Sequence, residues 1–452
     1  MVQQLKFSGY GNVQKSNSEF LIYNKTSNFD LSNYTKKSIC IRGSGSAYGD
    51  AATNKDGILL LTNDLNIIKS FDDKTGIITI ESGVTIGQCS KFLDDFQWSL
   101  PVVPGSRYIT VGGCLASDVH GKNHKENGSF SDHVTSFKMV LANGKLIDVN
   151  RVSYPDLFLA TAGGMGLTGL IIEITIQLLA VQCKKFITNI ETARSFEESV
   201  EILINSSCNN SHNLAWLDFN IKKEFGRGVI YGSKACVKKC EKTPSDNFKR
   251  QLSIPKIPFS LVTKNTSRIL NEYKFRSEKR AEHIDFKVTT KNSYISTLHS
   301  LSYHKTLFPS DIFKNWNNIF GRNGMVEFQF IFSPNEQVKA LSIVSKLCNQ
   351  TTPVLSAMKV FGESNENYLS FPRPGLVLAV MFPWQNRLLG LMSDLDEELS
   401  ELKGRKYLSK DIFTRPKIIR SMYPKFDNFL TVKRYYDPTE TWQSDLYRRL
   451  IS

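Results

Sequence analysis

The sequence lacks the features that mark membrane-spanning and exported proteins. Its 452 residues include no run of about 18 apolar residues, and the most apolar segment, 169–181, is interrupted by Glu173 and Gln177. The first twenty residues contain no apolar stretch of the kind found in export signals. From the sequence we therefore expect no transmembrane helix and no cleaved leader, and a location in the cytoplasm or on the inner surface of a membrane.

Cysteine is too sparse for a disulfide-rich scaffold or a structural metal site. The eight cysteines are scattered, and only Cys236 and Cys240 lie close together, with no second pair at metal-ligand spacing. His120, His124 and His133 are near one another in sequence, but His133 falls in a different predicted element. These patterns favour a protein of a reducing compartment and predict no bound metal.

Acidic residues are outnumbered, because 57 Lys and Arg stand against 43 Asp and Glu and give a net charge of +14. This charge favours an anionic partner, such as a phosphorylated ligand, a lipid headgroup surface or a nucleic acid, although a solvated basic surface explains it equally well. No basic stretch with interleaved aromatics and no known nucleic-acid module is present, so nucleic acid is not expected. A hydrophobic content of 41% excludes a mainly disordered chain.

Two regions of different character follow one another. Residues 37–179 alternate between short strands, turns and helices, whereas glycine becomes sparse after about residue 182. Lysine is frequent between 234 and 274 and alternating apolar residues are few, so we expect part of this segment to form a mobile loop or lid. The second region also contains apolar runs typical of strands and amphipathic segments typical of helices. The runs are 325–333, 358–361 and 375–382, and the amphipathic segments are 336–348 and 388–402.

Three glycine-rich turns, each at the end of a predicted strand, are the main chemical signal of the first region: 42–50, 104–113 and 162–169. Glycine allows backbone N–H groups to converge and a ligand to approach closely, so such turns bind anions such as a pyrophosphate. None of them is a G-x-x-x-x-G-K-[ST] loop, and the first has Tyr48 where the third glycine of G-x-G-x-x-G would stand. A P-loop and a Rossmann dinucleotide site are therefore disfavoured.

The turns carry a resemblance to a known family. Residues 41–50 (Ile-Arg-Gly-Ser-Gly-Ser-Ala-Tyr-Gly-Asp) resemble the first FAD-binding loop of the vanillyl-alcohol-oxidase / p-cresol-methylhydroxylase superfamily. Residues 104–124 resemble its second loop, closest to the form in the decaprenylphosphoryl-β-D-ribose 2′-oxidases. The similarity is weakest from about 185 to 320. It is also found at 164–169, 359–362, 369–372, 407–411 and 437–450.

This resemblance implies an α+β fold, with an FAD-binding domain of two subdomains and an α+β substrate domain that contains an antiparallel sheet. The expected boundaries are 1–182 for the FAD-binding domain, 183–404 for the substrate-binding domain and 405–452 for a C-terminal segment that returns to the FAD domain. The residues expected to bind the cofactor are Arg42, Gly43, Ser44, Gly45, Ser46, Ala47, Tyr48, Pro104, Gly105, Ser106, Val111, Gly112, Gly113, Ser117, His120, Gly121, Asn123, Gly169 and Ile171.

The first loop also bears on how FAD is held. Many relatives attach FAD covalently through a histidine of this loop, but residues 38–50 contain none, so the resemblance predicts non-covalent, dissociable FAD. Ser46 and Ala47 replace an Arg-Ser pair that the ribose oxidases usually carry. The local anchoring of FAD is therefore expected to differ from theirs.

Lys410 is the main expected catalytic residue. By resemblance it lies beside the pyrimidine edge of the flavin and the sugar, where its cation would stabilise negative charge or its free amine would accept the hydroxyl proton. The sequence leaves both roles open. Tyr407 is the second expected catalytic residue, and it would hydrogen-bond the flavin or shape the pocket.

The expected substrate-binding residues are Lys359, Phe361, Gln329 and Trp216. Strand alternation places Lys359 and Phe361 on one face, which the resemblance turns toward the substrate pocket. Gln329 matches a pocket glutamine of the family. Trp216 is a plausible wall for the sugar or lipid, although a core position explains it equally well.

The pocket also departs from the family. Ala379 stands where the mycobacterial ribose oxidases have a cysteine, and Met381 stands where an acidic residue is expected. Glu327 stands where a relative has an amide. The polarity of the pocket has therefore changed, and thiol-directed inhibitors of that cysteine should have no target here.

The resemblance implies an FAD-dependent oxidoreductase that transfers hydride from a secondary hydroxyl of a sugar, linked to a polyprenyl phosphate or otherwise phosphorylated, to flavin N5. A separate short-chain reductase would complete an epimerisation, and quinone or oxygen would reoxidise the flavin. The basic charge fits an anionic lipid-linked substrate and peripheral membrane association. Two alternatives stay open: an alditol or aldonolactone oxidase that acts on a free sugar, and a basic binding protein whose glycine turns are structural.

Overall fold

The computed structural model describes residues 4–23, 37–236, 252–282, 299–302, 306–308, 311 and 313–452. The segment 234–274, part of which was expected to form a lid, falls only partly within these ranges, because 237–251 lie outside them. Its residues from Lys264 onward belong to a helix. Cys240, one of the two closely spaced cysteines, also lies outside the described residues.

The described part of the first region contains two larger sheets and one short pair of strands. The first has the order β1-β2-β4-β3, with β2 and β3 parallel to β4. The second has the order β5-β6-β10-β8-β9 and is antiparallel throughout. Their strands are β1 (Gln4–Ser8), β2 (Lys15–Ile22), β3 (Ile39–Arg42), β4 (Ile58–Leu61), β5 (Ile68–Asp72), β6 (Ile77–Glu81), β8 (Val134–Val140), β9 (Leu146–Asn150) and β10 (Leu170–Gln177). A further pair joins β7 (Trp98–Ser99) to β11 (Leu179–Ala180).

The second region is built on an eight-stranded antiparallel sheet of order β16-β12-β14-β13-β19-β20-β18-β21. Its strands are β12 (Lys185–Ala193), β13 (His212–Asp218), β14 (Arg227–Ala235), β16 (His299–Ser302), β18 (Met325–Phe332), β19 (Leu355–Phe361), β20 (Gly375–Pro383) and β21 (Arg405–Lys406). A short parallel pair joins β15 (Leu252–Ser253) to β17 (Phe313–Lys314). The mixed α+β fold with an antiparallel second sheet is thus confirmed, whereas the finer division into domains stays a prediction.

Helices of the described chain cover these sheets. They are α1 (Ile86–Phe92), α2 (Val111–Ala116), α3 (His124–Asn127), α4 (Pro155–Thr161), α5 (Phe196–Asn209), α6 (Lys264–Glu282), α7 (Gln337–Gln350), α8 (Leu389–Glu401), α9 (Pro416–Met422), α10 (Phe426–Tyr436) and α11 (Asp445–Ile451). Side-chain caps begin several of them. Thr85 and Gln88 form a capping box at α1, and Thr110 accepts a hydrogen bond from the N–H of Gly113 at α2.

One face of the large sheet forms the main core. Phe328, Phe330 and Phe332 of β18 are fully buried there and pack with side chains of α5, α7 and α8, among them Leu203 and Leu347. Because side chains alternate along a strand, the residues between these phenylalanines point to the opposite face. That opposite face is the one that carries the candidate site.

The C-terminal segment packs on the first region. Trp442 forms a parallel bridge with Ile39 of β3 and is fully buried. Arg449 of α11 pairs with Asp50 at the end of the first glycine turn, with Nε 2.8 Å from a carboxylate oxygen. These contacts bring Lys410 and Tyr407, which precede them in the segment, close to the glycine turns.

Two further observations bear on location. No helix within the described ranges is both long and apolar enough to cross a bilayer. Cys183 forms a disulfide bond, which is uncommon in reducing compartments. The expectation of a reducing compartment, drawn from cysteine spacing alone, therefore gains no support from the structure.

Candidate active site

The inner wall of the site is the second face of the large sheet. Gln329 of β18 lies opposite Ala379 of β20, and Lys359 of β19 lies opposite Val377. All four residues line a cavity of about 570 Å³, together with Glu327. The pairing of β18 and β19 with β20 therefore places the predicted pocket residues Gln329 and Lys359 on one wall of the cavity.

The glycine turns form the other side of the same cavity. Its lining includes residues 43–48 of the first turn, 104–106, 112 and 113 of the second, and 165, 166 and 169 near the third. These turns are separated in sequence by up to about 120 residues, and only the sheet topology brings them together. Most of the residues predicted to bind the cofactor, including Ser117, His120 and Ile171, thus line one cavity.

The cavity has the properties that a dinucleotide needs. Within the described chain, the backbone nitrogens of Ser44 to Ala47 donate no hydrogen bond to protein. A Cβ placed on Gly105 would meet no atom within 4 Å, and one on Gly166 would meet only Ile41, at 4.0 Å. Buried polar atoms of Ser82 and His120 have no protein partner. Free donors around open space, on turns without bulky side chains, suit the pyrophosphate of FAD.

Lys410 points its amine into this cavity between two groups that favour its charge. Its Nζ lies 3.4 Å from a carboxylate oxygen of Glu327 and 3.3 Å from the centre of the Tyr48 ring. Burial lowers the pKa of Lys410, and Glu327 opposes that shift. Burial, and then Glu327, raise the pKa of Tyr48 well above its ordinary value. The sequence analysis selected Lys410 as the main expected catalytic residue, but it did not predict the contact of Lys410 with Glu327.

His120, Gln329 and Lys359 form a second polar group beside Lys410. The Nε2 of His120 lies 3.0 Å from the side-chain nitrogen of Gln329, so an amide N–H donates to the ring. Burial, then the charge of Lys359, lower the pKa of His120 well below its usual value. Burial lowers the pKa of Lys359 to about 8, although Glu327 opposes the shift. This side of the cavity is therefore rich in donors and basic groups, and it is suited to an anion.

Tyr407 lines the cavity and supports His120. Its hydroxyl donates to the backbone oxygen of Ser117 at 2.9 Å, and its ring centre lies 4.9 Å from that of His120. Phe361 does not line the cavity, but packs 4.8 Å from the His120 ring and stacks on His124 at 4.2 Å. Phe361 thus shapes the pocket from behind.

Four residues predicted to bind the cofactor lie outside the cavity wall. Arg42 donates to the backbone oxygens of Ala52 and Ser8, which fixes the first turn. Asn123 donates to the backbone oxygen of Pro101 at 2.8 Å. The other two are Val111, which is fully buried in the core, and Gly121.

Trp216 lies apart from the predicted substrate pocket. It is buried in a small apolar cluster with Ile190, Val229 and Phe275 and does not line the cavity. The surroundings of Trp216 therefore fit a core position and not a wall of the substrate pocket.

Sequence reasoning missed one wall of the cavity. Asp311, Phe313, Lys314, Asn315 and Trp316 line it, although this stretch matches no motif. Asp311 accepts the backbone N–H of Arg107 at 2.7 Å, which ties the stretch to the second glycine turn. Only the exposed aromatic and basic composition of 313–316 could have drawn attention to it.

Comparison with known proteins identifies the family. A family model described as an FAD binding domain matches residues 30–150. The chain is 33% identical over 430 residues to the decaprenylphosphoryl-β-D-ribose oxidase of Mycolicibacterium smegmatis, a match that covers 92% of this chain and 89% of that protein. An uncharacterized protein of Streptomyces coelicolor is 27% identical over 389 residues, which cover 81% of this chain and all of that protein.

More distant similarity is confined to part of the chain. A putative D-arabinono-1,4-lactone oxidase of Neurospora crassa is 27% identical over 145 residues, which cover 32% of this chain and 26% of that protein. The near-complete match to the Mycolicibacterium protein confirms the resemblance inferred from the turns, and FAD is the cofactor. The chain therefore belongs to the decaprenylphosphoryl-β-D-ribose oxidase family of FAD-binding oxidoreductases.

Proposed function

We propose that this protein oxidises a secondary hydroxyl of a sugar to a ketone by hydride transfer to N5 of FAD, and that the sugar is carried on a polyprenyl phosphate. The observation that carries the proposal is the group Lys410, Glu327 and Lys359 on the cavity wall that faces the glycine turns. The name of the Mycolicibacterium relative, a decaprenylphosphoryl-ribose oxidase, supports both the sugar and its lipid carrier.

Different residues of the chain hold different parts of FAD, which supplies the hydride acceptor when bound. We assign the pyrophosphate to the backbone N–H groups of residues 44–47 and to the second turn, whose glycines leave open space. We assign orientation of the flavin to His120 and Tyr407, which pack together beside Ser117. In this proposal residues 1–182 and 405–452 hold the cofactor, and residues 183–404 hold the substrate.

We assign electrostatic stabilisation to Lys410. The Glu327 carboxylate and the face of the Tyr48 ring favour the protonated amine, which is not a proton acceptor. A cation fixed at this point stabilises negative charge that develops during the reaction, without reorganisation. Glu327 is then the member of the pair that can accept the hydroxyl proton of the sugar.

We assign the phosphate of the substrate to Lys359. Its amine makes no hydrogen bond within the described chain, and burial disfavours its charge. An anionic group would therefore gain a strong charge-assisted contact there. Ala379 and Met381, which also line the cavity, make the sugar side less polar than a thiol and an acid would.

The product and the reduced cofactor require partners. A keto sugar is a substrate for a short-chain reductase, and that second enzyme would complete an epimerisation. A quinone or oxygen would reoxidise the cofactor. A lipid-linked substrate and a net charge of +14 suit a protein attached peripherally to the inner surface of a membrane.

Anaerobic reduction tests the proposal. The holoenzyme is mixed without oxygen with a polyprenyl-phosphoryl pentose, a free aldonolactone and an alditol, and the flavin absorbance is followed. We expect bleaching by the first compound only. Bleaching by a free sugar alone would favour the alditol or lactone oxidase instead, and no bleaching by any sugar would refute the proposal. A deoxy analogue that lacks the reacting hydroxyl is the matched control, and it should bind without bleaching.

A further inference from the structure

Helix α6 contacts the large sheet mainly through polar side chains. Asn271 is buried and donates to a carboxylate oxygen of Asp218 at 2.8 Å. Glu272 accepts from Arg227 at 2.7 Å, and Glu278 accepts from the hydroxyl of Tyr231 at 2.9 Å. Besides these hydrogen bonds and ion pairs, Phe275 is buried against the sheet, and the amine of Lys274 lies over the rings of Trp216 and Tyr231.

Three large apolar side chains of the same helix are exposed. Ile269, Leu270 and Tyr273 are 68%, 66% and 74% exposed, and exposed cations such as Arg268 lie beside them. A surface helix of a globular protein normally turns its apolar stripe to the core and its polar side to water. These three side chains face away from the sheet instead, so they are suited to contact something less polar than water.

The apolar surface continues from α6 to the mouth of the cavity. Leu252, Phe259 and Leu261 are also more than half exposed. The backbone N–H of Leu261 donates to Ile319, and β15 pairs with β17, whose Phe313 lines the cavity. Ile269 lies five residues beyond the start of α6, about 8 Å along the helix at 1.5 Å per residue. These residues, 252–273 and 313, form what we call the rim surface.

The charge of the rim surface indicates which kind of partner it binds. Residues 252–273 contain three cations, Lys256, Lys264 and Arg268, and one acidic residue, Glu272, a net charge of +2. Glu272 is occupied by its contact with Arg227, whereas the three cations are exposed. Exposed apolar side chains interspersed with exposed cations match the interface of a bilayer that has anionic headgroups.

We propose that the rim surface docks on an anionic lipid bilayer and so places the mouth of the cavity at the membrane. This inference deepens the proposed function, because a polyprenyl-linked sugar must be taken from a bilayer, but the docking itself involves no catalysis. The apolar side chains enter the interface, and the exposed lysines and arginines contact the headgroups.

Vesicle sedimentation of the full-length holoenzyme tests the docking. Vesicles of phosphatidylcholine with phosphatidylglycerol are compared with vesicles of phosphatidylcholine alone. We expect binding to the mixed vesicles that is about tenfold tighter than to the neutral ones and that weakens with added salt. The double substitution Ile269→Ser with Leu270→Ser should weaken binding by about tenfold or more, because it removes two exposed apolar side chains.

The controls separate this proposal from its competitors. Val152→Ser with Val338→Ser changes two apolar residues that are 90% and 72% exposed elsewhere, and it should leave vesicle binding unchanged. Equal loss in both double variants, or no binding of the parent protein, would overturn the proposal. A dimer in sedimentation velocity that only the α6 variant dissociates would make a second copy the occupant and would also overturn it. Flavin bleaching by a short-chain, water-soluble substrate should survive in the α6 variant, so failure of the proposed function is recognised separately.

Discussion

Arg449 offers a sharp test of how the C-terminal segment is held against the first glycine turn. Its guanidinium contacts both carboxylate oxygens of Asp50, at 2.8 and 3.0 Å, and one of Asp411 at 2.9 Å. Asp50 ends the turn, and Asp411 follows Lys410. The substitution Arg449→Met keeps the aliphatic volume and removes the shared cation.

The expected loss can be worked out from the two carboxylates. Asp411 keeps Lys406, at 2.8 Å, whereas Asp50, with its side chain 3% exposed, loses its ion-pair partner. Burial already raises the pKa of Asp50, and Arg449 is the main opposing influence. Without Arg449, the folded variant has its lowest free energy with Asp50 protonated. At pH 7 this protonation costs about 4 kcal/mol relative to an unfolded carboxyl of pKa about 3.9. This agrees with the roughly 3–5 kcal/mol usual for breaking a buried pair.

The same reasoning fixes a pH dependence. An acid whose pKa is raised in the folded state binds more protons there, so the free energy of unfolding of the variant falls as pH rises above about 4. The difference from the parent protein should therefore be about 4 kcal/mol at pH 7 and about 1.5 kcal/mol at pH 5. Urea denaturation of the FAD-bound protein at the two pH values measures it.

A surface pair provides the control. Arg420 contacts Asp427 at 2.5 Å, but the two side chains are 41% and 81% exposed. The substitution Arg420→Met should change the free energy of unfolding by less than about 1 kcal/mol at either pH. A loss for Arg449→Met that is below about 1 kcal/mol at pH 7, or one that does not shrink at pH 5, would refute the reasoning.

Three further predictions concern the site. Lys410→Met should slow anaerobic flavin reduction by about 10²–10³-fold, whereas Lys417→Met, on the exposed side of α9, should not; equal rates would remove Lys410 from catalysis. Because the pKa of Lys359 is about 8, the dissociation constant of a phosphorylated substrate should rise as pH increases through 8, and Lys359→Met should flatten that dependence; an unchanged dependence would assign the anion to another group. Acid precipitation should release the FAD into the supernatant, since residues 38–50 contain no histidine, and flavin that remains on the polypeptide would contradict non-covalent binding.

Local sequence patterns predicted the strands and turns in which the local preference of the residues agrees with their surroundings in the fold. The apolar runs at 325–333 and 375–382 became β18 and β20, and nearly every residue of these strands is buried. The Asn-Gly pair at 143–144, a sequence typical of a hairpin turn, joins β8 to β9, with Gly144 at a φ of +79° that favours glycine. Short-range chemistry of this kind can be read from sequence.

Patterns failed where partners distant in sequence decide the structure. β1, β2 and α5 carry no motif and were not predicted as elements. The first half of α6 lies in the lysine-rich segment 234–274, whose few alternating apolar residues did not indicate a helix. A tryptophan is as typical of a core as of a sugar site, and only the neighbours of Trp216 distinguish the two.

The sequence by itself determined the cofactor and the family, because backbone donors on glycine turns and the residues beside them are encoded in contiguous motifs. The tertiary structure decided which side chains share the cavity. The contact of Lys410 with Glu327 joins residues 83 positions apart, and the wall formed by Asp311 and 313–316 reaches the second glycine turn through Arg107. Charge and burial depend on distances in space, which sequence spacing does not determine, so the electrostatic role of Lys410 could be argued only once the sheet had brought its partners together.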